Sequence, residues 1–578
     1  MIKNSFLLFI IFISNSLLAN SFLKTEGRII VNENNEKVVL KGFGLGGWLV
    51  LEGYIWNCNI NHASTRNIEN EIEALIGSEK KGQFFDLYRK NYINEKEVEF
   101  LAEQGFNAIR VPLHYKHFSP SFGTFINDGF DLLDPLIDFC RENNIYLILD
   151  MHAAPGAQNT NDFSDSDGIE AKLFTDYSNQ IWFASTWRYI AEYYANEPVI
   201  GGYDLLNEPA RWGIANTLRS IYGQTIDSIR TVDPNHIVII EGNWFGNDHT
   251  GLLPPFDDEM VYSFHHYIGS SADSITSSDP SHWMHQYITD ISLNYDVPLW
   301  IGEFGENSNH WAYNKTKFFE RHNIGWSWWN FKSIERISSL FSYEISEEYQ
   351  VLIDYWNGNG SKPDTISAFN GLLSMAENLS FDSCKINKGL VRGLIDPNFD
   401  SLIREVTSKA FPELIINYSI QDNPRGISHA FSKAEQYIDT GDTVIFVLGD
   451  NFFEENLIKQ VDFNNFSSEG GCIIFTTKVK NPNEFGVASI DELGNVMHIE
   501  EKPAEPKSNL AVVGLYIFDS DAVDNIRKIS PSSRGEYEIT DLINIYINEK
   551  KCTNVEFEGW WIDAGTPDRI IELENLLA

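Results

Sequence analysis

Cysteine is scarce and scattered in this sequence: five residues, at positions 58, 140, 384, 472 and 552, with no C-x-x-C pair among them. A zinc ribbon and a thioredoxin-like redox site are therefore unsupported, and the odd count prevents complete pairing within the chain. Cys140, in the helical pattern LIDFCREN, is expected to be a buried thiol. Positive charge is also in short supply, 43 Lys and Arg against 82 Asp and Glu, for a formal net charge of −39. Such a surface repels nucleic acid and anionic membranes and favours neutral or cationic partners. Long apolar runs are missing beyond the N-terminus, so no integral membrane span is expected. The N-terminus itself reads as an export signal. Lys3 precedes the unbroken apolar run Phe6–Ile13, and Ala19-Asn20-Ser21 has the small-x-small cleavage pattern. Residues 1–21 are read as a signal peptide, which predicts a secreted or periplasmic protein.

Aromatic residues are plentiful at 13%, with 15 Trp. Most will be core, but tryptophan faces also stack on pyranose rings. A chain of 578 residues exceeds one ordinary core, and two domains are expected.

Eight apolar runs alternate with amphipathic stretches between about residues 38 and 332: VVLKGFGLGGW (38–48), NAIRVPL (107–113), IYLILDMH (145–152), VIGGYDLLNEP (199–209), IVIIEGN (237–243), MVYSFHHY (260–267), PLWIGEFG (298–305) and GWSWWNFK (325–332). Runs apolar throughout suggest strands buried on both faces, as in a parallel sheet. Helical spacing between them, over Glu95–Gly105, Phe130–Asn143, Ile181–Tyr194 and Ile214–Val232, completes a βα repeat. The expected fold is α/β, a (β/α)₈ TIM barrel over residues 22–411. Arg110, His152, Asn207, Glu208, His265, Tyr267, Glu303 and Trp329 stand at the C-terminal ends of these runs, where barrel enzymes place their active sites.

Two glutamates stand out. Retaining glycoside hydrolysis needs a protonated carboxyl to help the leaving oxygen depart and an ionised one to attack the anomeric carbon. Glu208 in LLNEP would be the acid/base, with Pro209 pushing the chain out of its strand. Glu303 in WIGEFG would be the nucleophile, with Gly302 and Gly305 leaving room for substrate. Arg110 would keep Glu303 ionised, Tyr267 would hydrogen-bond it, and Asn207 would hold a sugar hydroxyl. His265 and Tyr267 share one strand face by the period of two, and His266 points away as a structural residue. Trp326 and Trp328 are packing candidates, and His114 and His117 have no metal-site spacing.

These residues resemble glycoside hydrolase family 5. NEP after a fourth strand and GEFG after a seventh carry the resemblance, which spans most of residues 28–411. GLGGWLVLEGYIW, LDMHAAPGAQN and FHHYIG are similar to the exo-β-1,3-glucanase branch, although GEFG stands where that branch has GEW and residues 59–80 form an insertion. The resemblance implies Glu208 as acid/base and Glu303 as nucleophile. It places Arg110, His152, Asn207, His265 and Tyr267 around the cleaved sugar, Trp329 beneath it and Glu52 against the terminal glucose. It implies β-glucan as the substrate class, and no cofactor for hydrolysis.

Residues 412–578 form a second α/β unit, with strands expected at 445–451, 471–479 and 511–518. VLGDNFF, EEKPAEPKSNLAVVGLY, SSRGEYEITD and GWWIDAGTPD resemble glucose-1-phosphate thymidylyltransferases. By that resemblance Asp450 and Asp563 would bind Mg²⁺, and Gly486, Glu501 and Lys502 would hold the sugar phosphate. The family's opening G-x-G-T-R-x-x-P loop, whose amides cradle nucleotide phosphates, does not occur here. The domain is therefore expected to be a partial nucleotidyltransferase-like unit without nucleotidyl transfer of its own. Its exposed sheet edges are expected to make it unstable. An exported β-glucan hydrolase is the leading reading. A sugar-phosphate nucleotidyltransferase and a carbohydrate-binding protein built on an inactive barrel are the alternatives.

Overall fold

A computed structural model describes residues 21–267, 287–336, 338–396, 426–454, 456–491, 494–532 and 536–564, together with 569, 573 and 576. Residues 1–20 of the expected signal peptide, and the expected domain join near 411, lie outside the described residues. The described residues up to 396 belong to one compact unit and those from 426 onward to another.

The first unit is a closed barrel of eight parallel strands: β1 (Lys41–Gly44), β2 (Ala108–His114), β3 (Tyr146–Ala153), β4 (Ile200–Asp204), β5 (Val238–Glu241), β6 (Met260–His266), β7 (Leu299–Gly305) and β8 (Gly325–Trp329). Each strand pairs with its neighbour in sequence, and β8 closes onto β1. All eight apolar runs thus become barrel strands. They are buried on both faces because helices cover the outside while side chains fill the lumen. The first run is shorter than its apolar pattern: Lys37–Val38 leaves the barrel and joins a small antiparallel sheet with Lys24–Glu26 and Ile29–Val31.

The expected helices form at Glu95–Glu103, Asp128–Asn143, Tyr177–Tyr194 and Ala215–Arg230. The first carries a capping box, in which Asn94 accepts from the first turn and Glu97 returns to the Asn94 amide. The 59–80 insertion contributes helix Thr65–Ile76 and the start of Ser78–Tyr92, whose Phe84, Phe85 and Tyr88 enclose the buried Trp56. Cys140 is a buried free thiol, as expected. Trp326 and Trp328 are fully buried packing residues. His266 is also buried and stacks on Trp311 at 5.4 Å.

The second unit is a mixed sheet built on β14 (Leu510–Asp519). Three strands lie against it: β9 (Thr443–Val447), β11 (Cys472–Lys478) and β12 (Gly486–Ile490). The sheet is extended by β13 (Val496–Glu501) and β15 (Cys552–Glu556). A separate ribbon pairs β10 (Asn451–Phe453) with β16 (Trp561–Asp563). No helix among the described residues is long and apolar enough to cross a membrane.

Candidate active site

The site is built around Arg110, whose side chain is wholly buried at the end of β2. Its Nε donates to Asp204 at 2.9 Å, Nη1 to Glu303 at 2.5 Å, and Nη2 to Asn207 at 3.0 Å and Glu241 at 3.1 Å. Asp150 lies 3.2 Å from Nη2. One guanidinium thus ties strands β3, β4, β5 and β7 together. Removing one partner of such a buried array typically costs about 3–5 kcal/mol, because a charge is left uncompensated.

His265 is the second hub. Its Nδ1 stands 2.7 Å from Glu208 and 3.5 Å from Glu303, and its Nε2 stands 3.0 Å from Glu241. Burial works against its charge, but Glu241 and Glu303 outweigh burial and hold the imidazole well above the usual histidine range. Tyr267 donates to Glu303 Oε2 at 2.7 Å, so residues 265 and 267 do share the face that meets Glu303. His152 is held through Nδ1 by Asp150 at 2.8 Å, and burial lowers it to about 4, keeping it neutral.

A carboxylate oxygen of Glu208 and one of Glu303 lie within 4.8 Å of each other, with a ring nitrogen of His265 inside the same distance. The environments of the two acids differ. Burial raises Glu208 above its ordinary value, against the pull of His265. Burial would raise Glu303 too, but His265 and Arg110 overcome it and hold the carboxyl at about 2. The same three side chains form a conceivable metal-ligand triad. A metal ligand must be a deprotonated nitrogen, however, and both ring nitrogens of His265 face carboxylates that keep their protons in place.

Glu208 has an unusual backbone. The residue before a proline favours an extended backbone, yet Glu208 sits at φ +48° in the left-handed region. Such a conformation in a non-glycine residue costs on the order of 1–3 kcal/mol. It is held from both sides: the Glu208 amide donates to Glu241 Oε2 at 2.8 Å, and Asn159 Nδ2 donates to the Glu208 carbonyl at 2.9 Å.

The glycines flanking Glu303 correct an expectation. A Cβ on Gly302 would meet Ser263 Oγ at 2.6 Å and His265 Nε2 at 3.0 Å, and one on Gly305 would meet the Trp329 carbonyl at 2.1 Å. They make room for neighbouring strands, not for substrate. Gly44 and Gly46 of the first run make room for Trp329, since a Cβ at either would strike its ring at 2.7 and 2.5 Å. Trp329 lies flat above them, parallel to His152 at 5.6 Å, with its Nε1 donating to Tyr54 at 2.6 Å.

The resulting cleft has a volume of about 350 Å³ and is lined by Glu52, Tyr54, His152, Phe163, Asn207, Glu208, Tyr267, Glu303, Glu306 and Trp329. Glu52 is buried, with Oε1 lacking a hydrogen-bond partner among the described residues, and burial followed by the charge of Glu303 raises it well above the usual range. All nine barrel residues expected from the sequence therefore converge. Asp150, Asp204, Glu241, Tyr54 and Glu306 escaped the sequence reading. Two of them left a trace: Asp150 shares the strand face of His152 two residues on, and Glu241 ends an apolar run as Glu303 does.

Residues 67–334 match the family model described as Cellulase (glycosyl hydrolase family 5), and residues 396–578 match the Nucleotidyl transferase model. The barrel is a family 5 glycoside hydrolase domain. A β-xylosidase of Phanerodontia chrysosporium is 27% identical to this glycoside hydrolase over 387 residues, covering 59% of this chain and 79% of that protein. A glucose-1-phosphate thymidylyltransferase of Neisseria gonorrhoeae is 38% identical over 165 residues, covering 28% of this chain and 57% of that protein. A low-salt glycan biosynthesis nucleotidyltransferase of Haloferax volcanii is 39% identical over 163 residues, 28% of this chain and 45% of that protein. The chain spans about half the length of the curated nucleotidyltransferases it matches.

In the second unit the residues expected from the sequence also gather. Asp563 pairs with Asn451 across the β10–β16 ribbon, and the Ala564 amide donates to the Asp450 carbonyl at 2.7 Å, which places the two aspartates side by side along the chain paths. Gly486 pairs with Glu501 across β12 and β13, and the Lys502 amide donates to the Phe485 carbonyl at 3.0 Å. Phe485 packs on Trp561 at 5.0 Å, which links the two groups.

Proposed function

We propose that the glycoside hydrolase works by double displacement with retention, on a β-glucan, outside the cytoplasm. The observation that carries this reading is the Glu208–Glu303 pair: oxygens within 4.8 Å and opposite shifts of acidity. Retaining enzymes hold their carboxyl groups about 5–5.5 Å apart, whereas inverting ones leave about 6.5–9.5 Å for a water.

Glu303, kept ionised by Arg110 and His265, attacks the anomeric carbon. As its C–O bond forms, the glycosidic C–O bond breaks and the leaving oxygen takes the proton of Glu208. Because His265 Nδ1 donates to Oε1 of Glu208, that proton sits on Oε2. In the second step Glu208 takes a proton from water, the water oxygen bonds to the anomeric carbon, and Glu303 is released. Asn207 is fixed through Oδ1 by Arg110, and its Nδ2, which faces His152 Nε2 at 3.5 Å, has a second N–H for the sugar 2-hydroxyl. Trp329 supports the ring of the cleaved sugar, and Glu52 meets its hydroxyls.

The test is sugar release by the full chain and by its Glu303→Gln variant. The panel holds β-1,3-, β-1,6- and mixed-linkage glucan, cellulose, mannan and β-xylosides, the last because of the β-xylosidase relative. Release by wild type alone, with the β anomer appearing first by NMR, is expected. Release by Glu303→Gln, or the α anomer first, removes the mechanism. Loss of activity in chelator would likewise contradict it.

For the second unit, Mg²⁺ at Asp450 and Asp563 would bridge phosphate oxygens, with Gly486, Glu501 and Lys502 toward the sugar phosphate. Lacking the G-x-G-T-R-x-x-P loop, this chain is not expected to transfer a nucleotidyl group. Pyrophosphate release from thymidine triphosphate and glucose 1-phosphate by the full chain would overturn that.

A further inference from the structure

Cys472 and Cys552 open two neighbouring parallel strands, β11 and β15, and stand directly opposite each other in the register. Residues opposed in this way present their side chains on the same face of the sheet. Both thiols accordingly meet one apolar cluster: Cys472 is buried in it, and Cys552, half-buried, packs against it. Adjacent strands run about 4.7–4.9 Å apart, inside the span of about 4.4–6.8 Å between Cα atoms that a disulfide tolerates.

The backbone just before the pair is built for close approach. Gly470 and Gly471 both have left-handed backbones, at φ +67° and +111°. A Cβ on Gly471 would stand 2.4 Å from the Lys551 carbonyl oxygen, a distance that no side chain tolerates, and the Cys472 amide donates to that same oxygen at 2.8 Å. A larger residue at 471 would push the strands apart where the thiols meet. Among the described residues β15 is the outermost strand on its side of the sheet, so its first residue can shift toward β11 without breaking a second ladder. The chain then continues from β15 into β16, which carries Asp563.

The two thiols differ in access. Burial, then the neighbouring Cys552, push the Cys472 thiol well up and keep it protonated, so Cys552 is the one that solvent reaches first. We propose that Cys472 and Cys552 form a reversible dithiol–disulfide site, which closes when the chain meets a small disulfide oxidant. The Cys552 thiolate attacks one sulfur of the oxidant, whose S–S bond breaks and releases a thiolate that takes up a proton. Cys472 then attacks the Cys552 sulfur of this mixed disulfide, and its proton goes to the second departing thiolate. The chain loses two electrons and two protons, and the oxidant is reduced to two thiols. Export, as proposed above, would bring the chain into a medium that supplies such an oxidant, whereas a reducing cytoplasm holds the pair open. The closed bond ties the edge strand leading to Asp563 onto β11 and restrains residues 472–552 in the unfolded chain, which raises stability. A disulfide holds its Cβ atoms about 3.8 Å apart, closer than the strand spacing, so this bond pulls on β15 and reopens readily in excess thiol.

The test uses the full chain in glutathione buffers at neutral pH. After treatment with oxidised glutathione, alkylation and digestion without reductant, tryptic peptide 460–478 should appear joined to 552–569, while Cys58, Cys140 and Cys384 remain thiols. Oxidation should raise the thermal midpoint of the second unit by about 5 °C, and reduced glutathione should reverse it. Cys552→Ser, at the half-buried partner, should abolish the link and the shift while its reduced-state midpoint stays near that of wild type. Recovery of both cysteines as thiols after oxidation overturns the proposal. So does glutathione retained on Cys552 as a stable adduct, since Cys472 would then be out of its reach. Links to Cys58, Cys140 or Cys384, a link that forms only in denaturant, or a midpoint that still responds to oxidation in Cys552→Ser would overturn it as well.

Discussion

The backbone amide of Glu208 donates to the carboxylate of Glu241 at 2.8 Å, so the acid/base candidate is positioned through its main chain by a second acid one strand away. The other oxygen of Glu241 meets Arg110 at 3.1 Å and His265 at 3.0 Å. Three donors therefore converge on one carboxylate. Burial raises Glu241, but His265 overcomes it and keeps the group ionised. Glu241→Gln puts an amide N–H against at least one of these donors while preserving volume. The expected loss in kcat/KM on a natural glycan is on the order of 100-fold, the low end for impaired general acid catalysis. It should be smaller on an aryl glycoside, whose leaving group needs little protonation. Equal loss on both would show only a damaged fold and would remove the positioning role.

The pH profile follows from the two opposite shifts. By the proposed double displacement, hydrolysis needs Glu208 protonated and Glu303 ionised. Glu303 lies at about 2, so the acid limb of kcat/KM falls far below neutrality. Glu208 is raised above 4.5, so the basic limb lies above that value and activity is lost as pH rises through it. In Glu208→Ala, measured on an activated aryl glycoside, the basic limb should vanish while glycan hydrolysis drops by about 10²–10⁴. Persistence of that limb would place the titrating proton elsewhere.

Glu52 predicts a trade between stability and binding. Its carboxyl is buried, one oxygen lacks a partner among the described residues, and burial raises its pKa well above the ordinary 4.5. The folded state then keeps the proton to higher pH than the unfolded state does. Its contribution to stability is full below about 4.5 and is lost as pH rises through the folded value. Glu52→Gln does not titrate, so its advantage over wild type should grow with pH and reach roughly 1–3 kcal/mol at pH 8. Substrate affinity should fall. Denaturant unfolding at pH 4 and pH 8 decides it: the same difference at both values would mean that Glu52 is not the titrating group.

Eight apolar runs told most of the barrel because each strand is buried on both faces, which writes a continuous hydrophobic signal into the chain. The Glu208–Glu303 pair and its neighbours were legible for a second reason: they all sit at the ends of those runs. Asp204 was hidden for the opposite reason, lying within VIGGYDLL with no polar neighbour to mark it. It acquires a role only when closure of the barrel brings β4 beside Arg110 on β2, a lateral relationship that linear spacing does not record. The glycines at 302 and 305 misled because the sequence shows that space is needed, without showing for what. The φ of +48° at Glu208 was equally invisible, since it is imposed by Glu241 and Asn159 and runs against the preference set by Pro209.

The second unit invites a prediction about solubility. Strand β9 alternates exposed and half-buried residues, and its exposed positions include Ile445 at 42% and Val447 at 49%. β9 pairs with β14, and among the described residues no strand pairs with its other edge, which lies beside apolar side chains. That combination templates further strand pairing. Replacing Ile445 and Val447 together by Thr keeps β propensity while removing the apolar strip. The double variant should show less light scattering on warming than wild type, with the glycan hydrolysis of the full chain unaltered, because neither residue belongs to the barrel. Unchanged scattering would mean that this edge is covered in solution. Loss of the far-UV signature of the second unit would mean that the two side chains support its core.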